Sequence, residues 1–230
     1  MAKVRFDTPM AENEFSREEI RAMRRSYGDD GLHTLDADPF LAFADWLRQA
    51  HLNPVIVEAN AMVLSTLGAD LEISTRTVLL KDISEGGFTF FTNYSSRKAH
   101  AIESNEQVSL LFPWYAMERQ ISVNGLAAKV SQKESEEYFA SRPWASQIGA
   151  WASHQSSPLA SREELEQRYE GAAQKWPDGT SVPCPPHWGG FRVIPLSIEF
   201  WQGRYSRLHD RLRYERNNTS NDWELNRYYP

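Results

Sequence analysis

Apolar residues recur along this chain at two spacings. Between residues 38 and 52, Phe40, Phe43, Trp46 and Leu47 fall on one face of a helix. Asp38 can cap its first turn, and Pro39, whose missing N–H costs nothing there, opens it. The earlier stretch EFSREEIRAMRRSYGDDG also has helical character and ends at glycine. From residue 61 the texture changes to short β-rich runs: AMVLSTL, TRTVLLKDI, GFTFFTN, QVSLLFPW and RQISVNGLAAKV, parted by Gly, Asn, Asp and Ser turns. A helix interrupts them at SSRKAHAIESN. Ser131 with Glu134, and Ser161 with Glu164, have capping-box spacing and open two further helices, QKESEEYFASR and REELEQRYEGAAQKW. The proline-rich WPDGTSVPCPPHWGG leads into late strands around FRVIPLSIEFWQG, RLRYER and WELNRYY. Many short strands with short connections predict an antiparallel barrel with peripheral helices, mainly β or α+β in class.

Composition narrows the chemistry. A chain of 230 residues with 41% hydrophobic content can bury a full core. A formal net charge of -6 argues against coating nucleic acid, which needs excess Lys and Arg to displace counterions. The one cysteine, Cys184, allows no intrachain disulfide. The first residues lack the apolar core of a signal peptide, and no apolar run approaches a membrane span, so a cytoplasmic protein with no membrane partner is expected.

Against that acidic background, basic residues gather in three places. WQGRYSRLHDRLRYER, residues 201–216, holds Arg204, Arg207, Arg211, Arg213 and Arg216 around His209 and Asp210. Arginine forks suit carboxylate or phosphate, although a strand with a solvated charged face would read the same. TNYSSRKAH, residues 92–100, sets Arg97 and Lys98 in the first turn of a helix, where the dipole opposes cations unless an anion compensates. In STRTVLLKD, Arg76 and Lys81 are five apart and project to opposite faces of a regular strand, so they share a site only at a rim, bulge or interface. SRPWASQIGAWASHQSS mixes tryptophans with amides and hydroxyls, as a pocket for a flat polar ring would; a polar loop is the plainer alternative. No Cys/His cluster suggests a metal, and no P-loop, GxGxxG or G-x-S-x-G motif occurs.

Taken in order, RTVLLK, FFTNYSSRKA, SLLFPW, ERQISVNG, YFASRPWASQIGAWASHQSS, HWGGFRV and IEFWQGRYSRLHDR closely resemble the pyridoxine/pyridoxamine 5′-phosphate oxidase family from about residue 24 to the C-terminus. The resemblance implies an FMN-binding split barrel and a homodimer with FMN at the subunit interface. It implies oxidation of pyridoxamine and pyridoxine 5′-phosphates to pyridoxal 5′-phosphate by O2, with release of H2O2 and, from the amine, NH3. The FMN contacts it implies are Arg76, Thr77, Val78, Leu79, Leu80, Lys81, Phe91, Thr92, Arg97, Lys98, Gln120, Gln155, Ser156, Trp201 and Arg211. The substrate set is Arg24, Tyr27, Lys81, Tyr138, Arg142, Ser146, Arg207 and His209, with Arg207 and His209 catalytic. Residues 1–35 would form a mobile lid segment, and 36–230 one split-barrel domain including the dimerisation region. The hairpin LGADLEISTRTVLLK and the tail NRYYP depart from the family's usual pattern. Two alternatives stand beside this: a flavin reductase on the same barrel, and a non-catalytic carrier of pyridoxal phosphate.

Overall fold

In the computed structural model, residues 16–23, 26–219 and 222–230 are described. In chain order they form α1 (Arg17–Ala22), α2 (Pro39–Leu52), β1 (Ala61–Leu67), β2 (Ile73–Leu79), β3 (Asp82–Ser84) and β4 (Gly87–Asn93). Then come α3 (Arg97–Ser104), β5 (Gln107–Trp114), β6 (Arg119–Lys129), α4 (Gln132–Ser141), α5 (Trp144–Ala152) and α6 (Arg162–Lys175). The chain finishes with β7 (Trp188–Gln202), β8 (Asp210–Glu215) and β9 (Glu224–Tyr228). All strand pairings are antiparallel, in the order β2-β1-β5-β6-β7-β4-β3, with β8 on β7 and β9 on β8. This curled sheet with flanking helices is the α+β split barrel that the strand pattern predicts.

β7 organises the barrel. One of its edges pairs with β6 along nearly its whole length. The other pairs with β4 through Trp188–Val193 and with β8 through Ser197–Gln202. A register shift opposite Asn124/Gly125 gives β7 an extra residue between those halves, which lets so long a strand bend. The main core lies inside the curl, where α2 brings Phe43 against Phe88 and Phe112, each at 4.9 Å, and Trp46 against Phe200 at 5.0 Å. Leu32 and Leu35 belong to this core, ahead of the domain boundary expected at 36. A second core, built on Phe139, Ile148, Val182 and Trp188, joins α4, α5 and α6 to the start of β7.

Four local expectations change. α1 ends at Ala22, well before Gly28: none of its residues is buried, and by Gly28 the chain is held by tertiary bonds, its N–H donating to Glu118 Oε2 at 2.8 Å. The run TRTVLLKDI divides, because Leu80 turns into the core and exchanges hydrogen bonds with Asn60 while the Lys81 N–H reaches Thr89 O at 2.8 Å. The stretch 141–157, read as a pocket for a flat polar ring or else a polar loop, carries the helix α5 over Trp144–Ala152. Its Gln147 is affordable inside because Nε2 donates to the carbonyls of Phe139, which also accepts the Arg142 N–H, and Ala140 at the end of α4. At α4 only half of the capping box forms: Ser131 Oγ accepts the Glu134 N–H, but the Glu134 carboxylate pairs with Arg192 of β7 at 2.6 Å.

Candidate active site

A cleft of about 480 Å³ opens between the end of β2, β4, α3, α4 and α5. Among the described residues, Lys81, Lys98 and Arg142 line it and no carboxylate does. The break after β2 resolves the spacing of Arg76 and Lys81. Lys81, beyond the break, lines the cleft, while Arg76 stays in β2 and donates to Thr66 Oγ1 at 2.8 Å and to Ser74.

The corner around α3 is an anion cradle. Ser96 caps the helix, and Asn93 Oδ1 accepts the Ser95 N–H at 2.7 Å, fixing the turn that presents the helix start. Lys98 Nζ lies 3.1 Å from Thr92 Oγ1 and 2.8 Å from Gln155 Oε1, donating to both. Burial, helped by the nearby Arg76 charge, lowers the Lys98 ammonium to about 8. Arg97 sends its N–H to Ser156 Oγ at 3.2 Å, while its guanidinium is paired at 2.5 Å with Glu72 of the β1–β2 hairpin. Ser156 has a left-handed backbone, φ 73.

The opposite wall is aromatic. Phe91 stacks on Tyr138 at 4.0 Å and on Trp188 at 5.5 Å, near parallel. That stack needs glycine at 190, where a Cβ would stand 2.8 Å from the Phe91 ring. The Arg142 guanidinium lies 4.7 Å from the Trp188 ring, and its buried Nη1 has no hydrogen-bond partner. Burial lowers the Arg142 pKa. A buried, unpaired guanidinium nitrogen beside two lysines is costly unless an anion completes it. Together with the flat aromatic wall, these donors fit phosphorylated, planar ligands.

The cleft thus gathers Thr77, Val78, Leu79, Lys81, Phe91, Thr92, Lys98, Tyr138, Arg142, Ser146 and Gln155 from the sets expected above. Arg76, Arg97 and Ser156 flank its cradle corner. Leu80 does not join them: its side chain is in the core and both its backbone groups bond Asn60. Arg24 lies outside the described residues. Asn93, Gly149, Ala150, Ser153 and Trp188 also line the cleft and were missed as site residues, although an Asn three residues before a helix N-cap is a signal for the turn it makes.

A second cluster sits at the far end of β7. Gln120, Trp201 and Arg211 share one rung across β6, β7 and β8. Tyr27 and Trp201 both pack edge-on or tilted against the His209 ring, at 5.5 and 4.6 Å. His209 Nδ1 accepts the Arg204 N–H at 3.1 Å, which leaves Nε2 to carry the proton of the neutral ring; burial, and then Arg207, lower its pKa. Ser206 and Arg207 are consecutive left-handed residues, φ 56 and 64, and backbone strain of this kind gathers where side chains must be aimed. Arg207 is exposed and has no hydrogen-bond or ion-pair partner among the described residues.

The other arginines of 201–216 are engaged internally. Arg204 pairs with Asp29 at 2.6 Å, and Arg216 lies over the Trp223 ring at 4.2 Å. Arg211 and Arg213 both fork onto Glu199, at 2.9 and 2.7 Å. Burial pushes the Glu199 carboxyl up, but the two guanidinium bonds outweigh it and lower the pKa.

Trp188 in the cleft and Trp201 in this cluster are thirteen residues apart on β7, about 40 Å along an extended strand.

A split antiparallel barrel with a cation-lined cleft at its rim is the architecture that comparison with known proteins matches to flavin-binding split-barrel oxidoreductases. Residues 49–176 match the pyridoxamine 5′-phosphate oxidase family, and 188–230 match the pyridoxine 5′-phosphate oxidase C-terminal dimerisation region. The chain is 49% identical over 214 residues to a pyridoxine/pyridoxamine 5′-phosphate oxidase of Nocardioides sp., covering 92% of this chain and 98% of that one. It is 49% identical to another of that name from Streptomyces avermitilis, covering 91% and 95%. Among solved structures, PhzG of Burkholderia lata, in complex with tetrahydrophenazine-1-carboxylic acid, superposes with a TM-score of 0.81 at 30% identity, covering 88% of this chain and all of that one. The chain belongs to the pyridoxine/pyridoxamine 5′-phosphate oxidase family. FMN is the cofactor of that family, and the donors of the cleft fit it. β7, β8 and β9 fall in the matched dimerisation region, which supports a homodimer. No helix among the described residues is long and apolar enough to cross a membrane.

Proposed function

We propose that this protein oxidises pyridoxamine 5′-phosphate and pyridoxine 5′-phosphate to pyridoxal 5′-phosphate in the cytoplasm, with O2 as final electron acceptor. The amine consumes O2 and one water and yields ammonia and H2O2; the alcohol consumes O2 and yields H2O2. The observation that carries the reading is the carboxylate-free cleft in which Lys81, Arg142, Tyr138 and Ser146 share walls with Lys98, Thr92 and Phe91.

Bound FMN supplies the two-electron acceptor that no side chain provides. Arg76, Arg97, Lys98, Thr92, Gln155 and Ser156 would hold its phosphate, with Thr77, Val78, Leu79 and Phe91 along its body. Lys81, Tyr138, Arg142 and Ser146 would hold the substrate phosphate, Arg142 Nη1 gaining there the partner it lacks. That anchors the substrate at its phosphate end, so fixed geometry replaces chance encounter at the other.

Arg207 and His209 of the partner subunit would complete each site, with Gln120, Trp201 and Arg211 beside them, since none of these residues lines the cleft of its own chain and residues 188–230 match a dimerisation region. Arg207 would orient the amine or alcohol, and His209, protonated on Nε2, would bond the ring's oxygen substituent or pass a proton. Tyr27, whose ring packs edge-on against His209, would stand beside the substrate with it.

The test is anaerobic mixing of the yellow holoenzyme with pyridoxamine 5′-phosphate while following the flavin band at about 450 nm. Bleaching that reverses on admitting air, with aldehyde appearing, is the expected result. A band that stays unchanged would leave the reductase or carrier alternatives.

A further inference from the structure

α6 contributes no residue to the cleft, yet one of its side chains reaches the cradle from behind. Arg168 Nε donates to the carbonyl of Ala152, the last residue of α5, at 2.7 Å, and its Nη2 lies 2.6 Å from His154 Nε2. Guanidinium is always a donor, so His154 must accept, with its proton on Nδ1. A cation here also meets the negative end of the α5 dipole. The four residues that follow Ala152, Ser153 to Ser156, are the loop that closes the cradle corner.

On its inner side the loop is held by groups an incoming phosphate would claim. Lys98 Nζ and Thr92 Oγ1 donate to Gln155 Oε1, and the Arg97 N–H donates to Ser156 Oγ. Those bonds exchange when an anion arrives. The two bonds from Arg168 do not, because Arg168 faces away from the cleft. The remaining ties are Asn93 Nδ2 to Ser153 O at 3.3 Å and the backbone bonds of the Ser153 N–H to Gly149 O at 3.1 Å and the Ser157 N–H to His154 O at 3.0 Å, none of which reaches the His154 ring.

We propose that Arg168 is a positioning residue for the cofactor phosphate: by pinning the end of α5 and His154, it presets the Ser153–Ser156 loop before FMN binds, and so sets the affinity for FMN. This rests on the reading of the cradle as the FMN-phosphate corner.

The experiment is titration of FMN into the cofactor-stripped protein, followed by quenching of flavin fluorescence, with Arg168→Met, Arg168→Lys and Lys98→Ala beside the unmodified chain. Arg168→Met is expected to weaken FMN binding about tenfold, the loss of charge-assisted bonds that order the loop. Arg168→Lys, which keeps the charge but has no fork to satisfy both acceptors, is expected to fall between, and provides the measurement if the Met variant does not fold. At saturating FMN, kcat should stay within about twofold of the unmodified enzyme while the FMN dissociation constant moves, the split that positioning of a binding loop requires. Unchanged FMN affinity in the Arg168 variants overturns the inference, even if their melting temperature falls. If Lys98→Ala also binds FMN normally, the reading of the cradle itself fails; if Lys98→Ala loses FMN while the Arg168 variants keep it, only the role of Arg168 falls.

Discussion

Lys98 is held where its charge is least comfortable, buried in a helix first turn with Arg76 nearby, and its pKa sits at about 8. A phosphate dianion needs it protonated. FMN affinity of the stripped protein should therefore be full between about pH 7 and 8, above the phosphate's own second ionisation at about pH 6, and fall as pH rises through about 8, with proton uptake on binding above it; isothermal titration in buffers of different ionisation enthalpy reads both. Arg142 makes a parallel case on the substrate side. Replacing it with Met should raise KM for pyridoxamine 5′-phosphate by about tenfold or more, as loss of a charge-assisted bond does, and leave the flavin in place. Arg207→Ala should instead lower kcat, by about a hundredfold for a group acting at the reacting end, while FMN is retained. Equal flavin loss from Arg142→Met, Arg207→Ala and Lys98→Ala would remove this division of labour. Lys98, Lys81 and Arg142 were visible in the sequence as cations beside turn and aromatic residues. Their common wall was not, because it depends on where β2 breaks.

At the scale of elements, the cleft depends on helices that must be fastened to the barrel. α4 carries Tyr138 and leads into Arg142, and Glu134 ties it to β7 through Arg192, whose side chain is only 13% exposed. Glu134→Ala should cost about 1–3 kcal/mol by leaving that guanidinium short of a partner in a largely buried place, read from thermal unfolding at fixed protein concentration. It should also raise the substrate KM, since Tyr138 and Arg142 move with α4. The box spacing around Ser131 predicted a helix start correctly but not what Glu134 does there, because a carboxylate bonds whichever donor the fold brings nearest. α5 went unread for a related reason. Its amides and hydroxyls look wasteful on a helix until Gln147 is seen to satisfy the carbonyls that end α4.

For the whole molecule, the long strand β7 sets the outcome, with the cation-lined cleft at its start and the Trp201–His209 cluster at its end. If each site joins one chain's cleft to the other's cluster, mixed dimers of Arg142→Ala and Arg207→Ala chains hold one intact site and one doubly altered site. Random re-pairing of equal amounts should then restore about a quarter of full activity from two nearly inactive proteins, as two-fold symmetry requires; no recovery would mean that each site is built within one chain. Most of the strands, the capped α2, the barrel class and the family were legible along the chain, since apolar spacing and turn residues report local backbone preference and burial directly, whereas α5 and the break after β2 were not. Which of the five arginines of residues 201–216 are taken depends instead on how the chain closes in three dimensions. Arg211 and Arg213 meet Glu199 because β7 and β8 pair in one register, Arg204 meets Asp29 because the N-terminal segment crosses there, and Arg207 is left free on a strained turn. Charge partners are a property of chain closure over long separations, which spacing along the chain does not encode.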